Sequence, residues 1–552
     1  MGRLFLSGST MKQQKRFLLR ALALAAVMTS AAPLAGAAVN EPYTVRVAYD
    51  PATPRATVTW GADAPAASGY GIERRPVGAT AWNEIAYVKE PLRSHADTTV
   101  APLTRYEYRV KAYRPGGPGT GYISTSTAAL QLNFPYRRGY GRGILPSNYS
   151  QDQMDADVRD MYNLWRAKYV TTAGAGTGGA RVYKPDEGGE TVSEGQGYGM
   201  LISVYMADGA NQGKSDFDKM LTYYKSKRRI LNGENTGLMS WRINGDGSVA
   251  DVWTAPDGDI DAAFALLVAD KKWGSGNGNP NYWAEAQTIL NGLQRFAVYN
   301  RGDTHSDLVA NSEKELSSTE GDANFTMSSY QVVSYMRQFA NASDATRAAK
   351  WRDTLRAGYK AFDYYYEANP ATALTPYTFL TKPGANQYKP SAKGYNFGPD
   401  SCRIPWRVGL DFLWHENGNS RYANSLDANI RATLAQDLPK VNAAWFMNTV
   451  NNDPTAALYG YQLNGSPWPN TFVYGQRHTA GAMAVGAMTD ASNQARLNTL
   501  YDWMRKQIPG QPYSYNGKSV TPEYYGDTVL MVTMIAVTGN MPNLPEVPIP
   551  AK

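Results

Sequence analysis

Between residues 150 and 538 the sequence is a succession of apolar runs at helical spacing. No series of Val- and Ile-rich strands alternates with them. That pattern argues against a βα barrel and demands a layered, helix-on-helix architecture. The runs fall near 150–169, 196–208, 216–231, 258–272, 282–298, 327–341, 346–368, 403–416, 420–438, 475–488, 492–507 and 524–538, about twelve helices. Even-numbered members are the more apolar, as in Phe264–Ala269, Ala482–Met488 and Val529–Val537. Odd-numbered members carry charge along one face, as in Asp216–Arg229 and Thr346–Lys360. Such alternation predicts six helical hairpins, arranged as an inner ring of buried helices within an outer, half-exposed one. The first helix begins at a capping box, Ser150 with Gln153.

Residues 40–128 have a different period. Short alternating runs at Tyr43–Tyr49, Ala56–Trp60, Gly69–Arg74, Asn83–Tyr87, Tyr106–Ala112 and Tyr122–Thr127, with turn residues between them, predict a small all-β sandwich. Trp60 and the run Leu103–Val110 resemble a fibronectin type III module, in which a core Trp and a corner Tyr take these places. The resemblance implies a spacer or adhesion unit without catalysis. Residues 129–149, with Gly, Pro and Arg concentrated in Asn133–Tyr149, read as a linker to a helical domain over 150–545.

The first 37 residues read as a secretory signal, with Met11 as a candidate start. Lys12, Lys15 and Arg16 precede the apolar stretch Phe17–Met28, and Ala35-Gly36-Ala37 forms a small-residue cleavage pattern. No later stretch approaches the ~18 uninterrupted apolar residues that span a bilayer, so an exported protein without a membrane partner is expected. Cys402 is the single cysteine, which excludes an intrachain disulfide and leaves stability to core burial. The four histidines, His95, His305, His415 and His478, show no metal-ligand spacing. No cofactor and no His/Cys zinc site are expected; a structural calcium among the aspartates stays open. The net charge of +7 is scattered, with small clusters at Lys225–Arg229 and Tyr136–Arg138 only. Scattered charge is solvated surface and gives no nucleic-acid footprint. A monomer is expected.

One motif recurs within the helical region. Thr191–Met200 places Glu194 on a glycine-punctuated turn ahead of the apolar run Met200–Ala207. Ala255–Leu267 does the same with Asp257, and Tyr395–Arg407 with Asp400. A single carboxylate at a helix entrance needs no explanation beyond the helix dipole. These three, however, precede the second, fourth and eighth helices. Equal parity in a ring of alternating helices puts their N-termini on one rim, so the three carboxylates converge. Paired carboxylates without a metal, nucleophilic Ser or Cys suit glycoside hydrolysis, where one carboxyl donates a proton and another, ionised, activates water or attacks carbon. Arg403 and a helix start keep Asp400 ionised, whereas Glu194 has no basic neighbour in sequence and is the better acid.

Ser193–Met200, the Asp257-Gly258-Asp259 helix followed by Trp273, and Asp400–Arg407 together resemble glycoside hydrolase family 8 over most of 135–545. The resemblance implies an (α/α)6 barrel and inverting hydrolysis of a β-1,4-linked polysaccharide. By motif, Glu194 matches the general acid, Asp257 the Asp that contacts the sugar at the cleavage point, and Asp400 the general base that shortly precedes an Arg, here Arg403. Pro256 and Ala262 depart from the family pattern, which usually has Ser or Thr and Ile or Met there. Sugar rings stack on aromatic faces, and 13 Trp and 38 Tyr are available. Trp241, on the loop between the third and fourth helices, and Tyr198 are the first candidates, with an ordinary core role as the rival reading. Tyr524 and Tyr525 open the twelfth helix and Arg477 the tenth, on the same rim. The expected activity is that of a secreted endo-β-1,4-glucanase, with a xylanase on the same machinery as the alternative. A chitosanase is disfavoured, because a cationic polymer gains no steering from a protein of net +7. The rival of another class is a non-catalytic polysaccharide-binding or adhesion protein.

Overall fold

The computed structural model describes residues 42–546 except 51–54, 63–66, 77–78, 101–105, 114–121, 125–132, 137–139, 141, 209–210, 277–278, 300–306, 315–324, 382–386, 393, 416–429, 470, 472–475, 516–517 and 521–522. The expected signal segment lies outside the described residues.

The first domain is all-β. Its strands are β1 (Pro42–Asp50), β2 (Arg55–Ala62), β3 (Gly69–Pro76), β4 (Asn83–Lys89), β5 (Ser94–Asp97), β6 (Tyr106–Tyr113) and β7 (Tyr122–Ser124). They form two antiparallel sheets, β1-β2-β5 and β4-β3-β6-β7. Residues from both sheets, among them Val58, Trp60, Tyr70, Ile72, Tyr108 and Val110, share one core. Strand β6 buries every second residue, as its period-two sequence requires. The sequence reading had no β5, since Ser94-His95-Ala96-Asp97 carries no apolar alternation. Polar bonds secure its end instead: buried Asp97 accepts from Arg74 Nη1 (2.6 Å) and from the Tyr108 hydroxyl (2.9 Å).

The second domain is α-rich. Its helices are α1 (Gln151–Tyr169), α2 (Ser193–Met206), α3 (Gly213–Ser226), α4 (Pro256–Trp273), α5 (Tyr282–Phe296), α6 (Val333–Asn341), α7 (Ala345–Ala368), α8 (Ile404–Trp414), α9 (Leu434–Thr449), α10 (Arg477–Ala487), α11 (Gln494–Met504) and α12 (Tyr524–Val537). Contacts run from α2 to α4, α6, α8, α10 and α12 in turn, and α12 touches α2, so the even-numbered helices close on themselves. The odd-numbered helices pack outside them, α3 on α2, α5 on α4 and α7 on α6. Every residue of α8 and α10 is buried; in α2 all but Glu194 are, and in α12 all but Tyr525.

Several elements differ from the sequence reading. Residues 195–199 are no turn: α2 starts at Ser193 and carries Gly195, Gly197 and Gly199 inside it. Glycine costs a helix about 1 kcal/mol per residue, and here it admits close neighbours. A Cβ on Gly197 would collide with the Gly258 carbonyl, and one on Gly258 with the backbone of Ser193 and Glu194. The third helix stops at Ser226, because Asn232-Gly233, both at positive φ, turn Arg228–Leu231 back against Glu234–Ile243 as a hairpin. With Thr191–Val192 and Val249–Thr254 these strands make a four-stranded sheet. Trp241 therefore sits on a strand rather than a loop. The ninth helix of the described residues runs Leu434–Thr449 and continues through Pro439, past the expected end at 438; residues 420–429 of that expected helix lie outside the described residues. The supposed linker is packed: Phe134 and Tyr136 are buried in the main core, and the Lys272 ammonium donates to the Tyr136 hydroxyl (2.8 Å) and to the Val204 (3.0 Å) and Ala207 (2.6 Å) carbonyls.

The α2–α4 contact yields a direct test. Gly258→Ala forces backbone against backbone and should destabilise the chain by about 3 kcal/mol in chemical denaturation; an unchanged midpoint would show that the two helices can part freely.

Candidate active site

The apolar ring brings its N-termini together at one end, and Arg403 stands between them. Its guanidinium is 1% exposed. Nη1 donates to Glu194 Oε2 (2.8 Å), Asp257 Oδ2 (2.8 Å) and the Tyr198 hydroxyl (3.0 Å). Nη2 donates to Asp400 Oδ1 (2.9 Å) and Ser329 Oγ (2.9 Å). Glu194 and Tyr198 come from α2, Asp257 from the first turn of α4, Ser329 from the turn before α6, and Asp400 from the turn before α8. The three carboxylates, more than 200 residues apart at the extremes, thus meet on one cation. Glu194 and Asp400 keep 15% and 19% of their side-chain surface exposed, while Asp257 keeps 4%. The first two are thus the more open and the third the more enclosed.

Burial dominates the electrostatics. It pushes the Glu194 carboxyl up from 4.5 to about 8, the Arg403 charge opposing it and Asp257 and Asp400 adding to it. Burial also raises Asp257, against the pull of Arg403. The sequence gives Glu194 no basic neighbour, yet in space it shares Arg403 with the other two. Burial outweighs that cation, so Glu194 holds its proton at neutral pH. Next door, Asp259 is also pushed by burial to about 8, although Tyr224 and the Met239 N–H (2.9 Å) donate to it.

The remaining sequence candidates divide by position. The Tyr524 hydroxyl donates to Glu194 Oε1 (3.2 Å), and the Tyr525 hydroxyl to the Pro399 carbonyl (2.8 Å), beside Asp400. Tyr198 is fully enclosed, so its ring offers no face to a sugar; it accepts from Arg403 and tilts against Trp406. Trp241 is half-exposed on the strand that pairs with Thr191–Val192, immediately ahead of α2. Arg477 is spent elsewhere: it pairs with buried Asp527 and donates to the Gln511 carbonyl (2.7 Å). Cys402 is enclosed against the Pro399 carbonyl (2.8 Å), and burial pushes its thiol up.

Three residues of the site escaped the sequence reading. Ser329 and Tyr330 occupy the turn before α6, another even-numbered helix, so the parity argument could have found them. Tyr377, hydrogen-bonded to Asp400, lies outside any regular element and left no signal.

Three carboxyls gathered on one buried cation at the shared rim of a helical ring suit glycoside hydrolysis. Residues 132–436 match the Glycosyl hydrolases family 8 profile, and the chain belongs to that family. It is 30% identical over 434 residues to a beta-glucanase of Niallia circulans, covering 76% of this chain and 93% of that protein. It is 29% identical over 428 residues to endoglucanase C of Ruminiclostridium cellulolyticum, covering 76% and 79%. The apo structure of a beta-1,3-1,4-glucanase from Paenibacillus sp. X4 superposes with a TM-score of 0.60 at 28% identity, over 74% of this chain and 98% of that one. No helix among the described residues is long and apolar enough to cross a membrane.

The raised Glu194 pKa carries a stability consequence. Below its unfolded value of 4.5 both states hold the proton; from there to about 8 only the unfolded chain releases it, so the fold loses stability as pH rises. Glu194→Gln cannot ionise. Its melting temperature should match the parent near pH 4 and rise progressively above it between about pH 5 and about pH 8; a gap independent of pH would refute the assignment.

Proposed function

We propose that this chain is a secreted, inverting endo-β-glucanase with an (α/α)6-barrel catalytic domain, acting on β-1,4-linked glucan as cellulose or mixed-linkage polymer. Glu194 is the general acid and Asp400 the general base. Asp257 holds the sugar at the cleavage point, Tyr524 orients the acid, and Trp241 stacks on a sugar along the cleft. The observation that carries this reading is the shared Arg403, which faces a protonated carboxyl on one nitrogen and a second, more open carboxylate on the other.

The chemistry follows from that pairing. Glu194, kept neutral by burial, delivers its proton to the glycosidic oxygen as the bond breaks. Asp400, held by Arg403 and approached by Tyr377, takes a proton from the water that attacks the opposite face. Both carboxyls contact one guanidinium, which limits their nearest oxygens to about 8 Å apart. That bound is compatible with the ~6.5–9.5 Å spacing used by inverting enzymes. Export is supported by the signal-like start, and glucan as substrate by the beta-glucanase and endoglucanase relatives.

Reducing-end release should be measured on a soluble cellulose derivative, mixed-linkage glucan, xylan and chitosan. Glucan cleavage is expected. Glu194→Gln and Asp400→Asn should each lower kcat on the order of 10²- to 10⁴-fold with little change in substrate binding, because proton transfer acts in the transition state. Activity of the parent should also fall as pH rises through about 8, where Glu194 loses its proton. Release from xylan alone would move the enzyme to that substrate, and full activity in Glu194→Gln would overturn the acid assignment.

A further inference from the structure

The outer face of the β4-β3-β6-β7 sheet carries an aromatic row that the catalytic chemistry does not use. Strand register puts Gly69, Gly71, Glu73 and Arg75 of β3 on that face, beside Tyr87 of β4 and Arg109, Lys111 and Tyr113 of β6. The two glycines leave the central strand bare, and flanking tyrosines lie over it. A Cβ on Gly69 would run into the Tyr87 ring, and one on Gly71 into Tyr113. The Tyr87 and Tyr113 rings meet with centroids 5.4 Å apart, and Tyr87 is still 51% exposed. Further along the same face Trp82, half-exposed, rests on the Arg75 and Arg109 guanidiniums, each 4.4 Å from its ring centre. At about 3.3 Å per residue, Gly71 to Arg75 makes the row about 13 Å long, enough for more than one sugar ring.

The charges around these rings cancel. Arg75 pairs with Glu107 (2.5 Å), and Lys111 bridges Glu73 (2.7 Å) and Glu84 (2.6 Å), with Arg109 also on Glu73. Such a face has nothing to offer an acidic or basic polymer. It complements a ligand that is uncharged, has flat apolar C–H faces and is edged with hydroxyls. The sheet is also tethered to a hydrolase of such polymers, so an aromatic surface on it raises the local concentration of substrate. We propose that this face binds a neutral β-glucan chain, with Tyr87, Tyr113 and Trp82 as stacking platforms and the paired charges as hydrogen-bonding rims. The choice of ligand rests on the glucanase reading above; the existence of the site does not.

The test uses the full chain. In a Glu194→Gln background, which leaves polymers intact, retention is compared in native gels containing mixed-linkage glucan, hydroxyethyl cellulose, xylan or no polymer. Tyr87→Ala and Trp82→Ala should each weaken retention by glucan about tenfold, whereas Tyr87→Trp, which keeps a ring over Gly69, should retain it. In the catalytically intact chain the same substitutions should leave hydrolysis of short soluble oligosaccharides within about twofold and slow attack on insoluble glucan. Equal retention of Tyr87→Ala, Trp82→Ala and parent would overturn the proposal, as would equal loss in Tyr87→Trp. Ring-dependent retention by xylan but not glucan would keep the surface and overturn its ligand. Oligosaccharide hydrolysis is read separately, so failure of the glucanase reading shows there and not in the gels.

Discussion

A single buried cation holds the site together. Arg403 is enclosed by groups from α2, α4 and the turns before α6 and α8, and three of them are carboxylates. Burying a guanidinium is costly unless its donors are satisfied, and this one is satisfied by residues from four separate parts of the chain. The surrounding helix N-termini add partial positive charge beside the carboxyls. Glu194 escapes by protonation. Desolvation exceeds the attraction of a cation it must share, as it also does at Asp257, and at Glu194 it carries the carboxyl to about 8.

Similar pairs recur along the ring. Arg407 of α8 takes both oxygens of Asp261 in α4 (2.7 and 2.5 Å), and Arg337 of α6 those of Asp411 in α8 (2.6 and 2.8 Å). Arg477 of α10 pairs with Asp527 of α12. Purely apolar helix faces can slide past one another, but a bidentate buried pair fits at one alignment only. The rim to which the catalytic groups belong is therefore fixed in register by ionic contacts along the helices below it, while glycine at α2 and α4 sets how closely their first turns approach.

Much of this was legible in the sequence. Helical periodicity located eleven of the twelve helices of the described residues, with ends off by up to six residues, because amphipathic or wholly apolar runs report burial directly. What escaped were elements held by something other than apolar period: β5, fixed by Asp97; the hairpin at Arg228–Leu231, fixed by its Asn-Gly turn; and the part of α9 beyond Pro439. The engagement of Arg477 was hidden for the same reason. A position at a rim N-terminus is visible in sequence, but the Asp527 partner that consumes its charge is fifty residues away.

The sequence by itself determined the helical architecture, the β-rich first domain and the identity of the three carboxylates, since period and local motif are written within a few residues of each other. Only the tertiary structure decided which of those carboxylates share a cation, that burial raises the Glu194 carboxyl in spite of it, that Tyr198 is enclosed, and that Ser329 and Tyr377 complete the site. Each of these depends on burial and on partners distant in the chain, and desolvation, the largest cause of the Glu194 shift, exists only once the ring has closed.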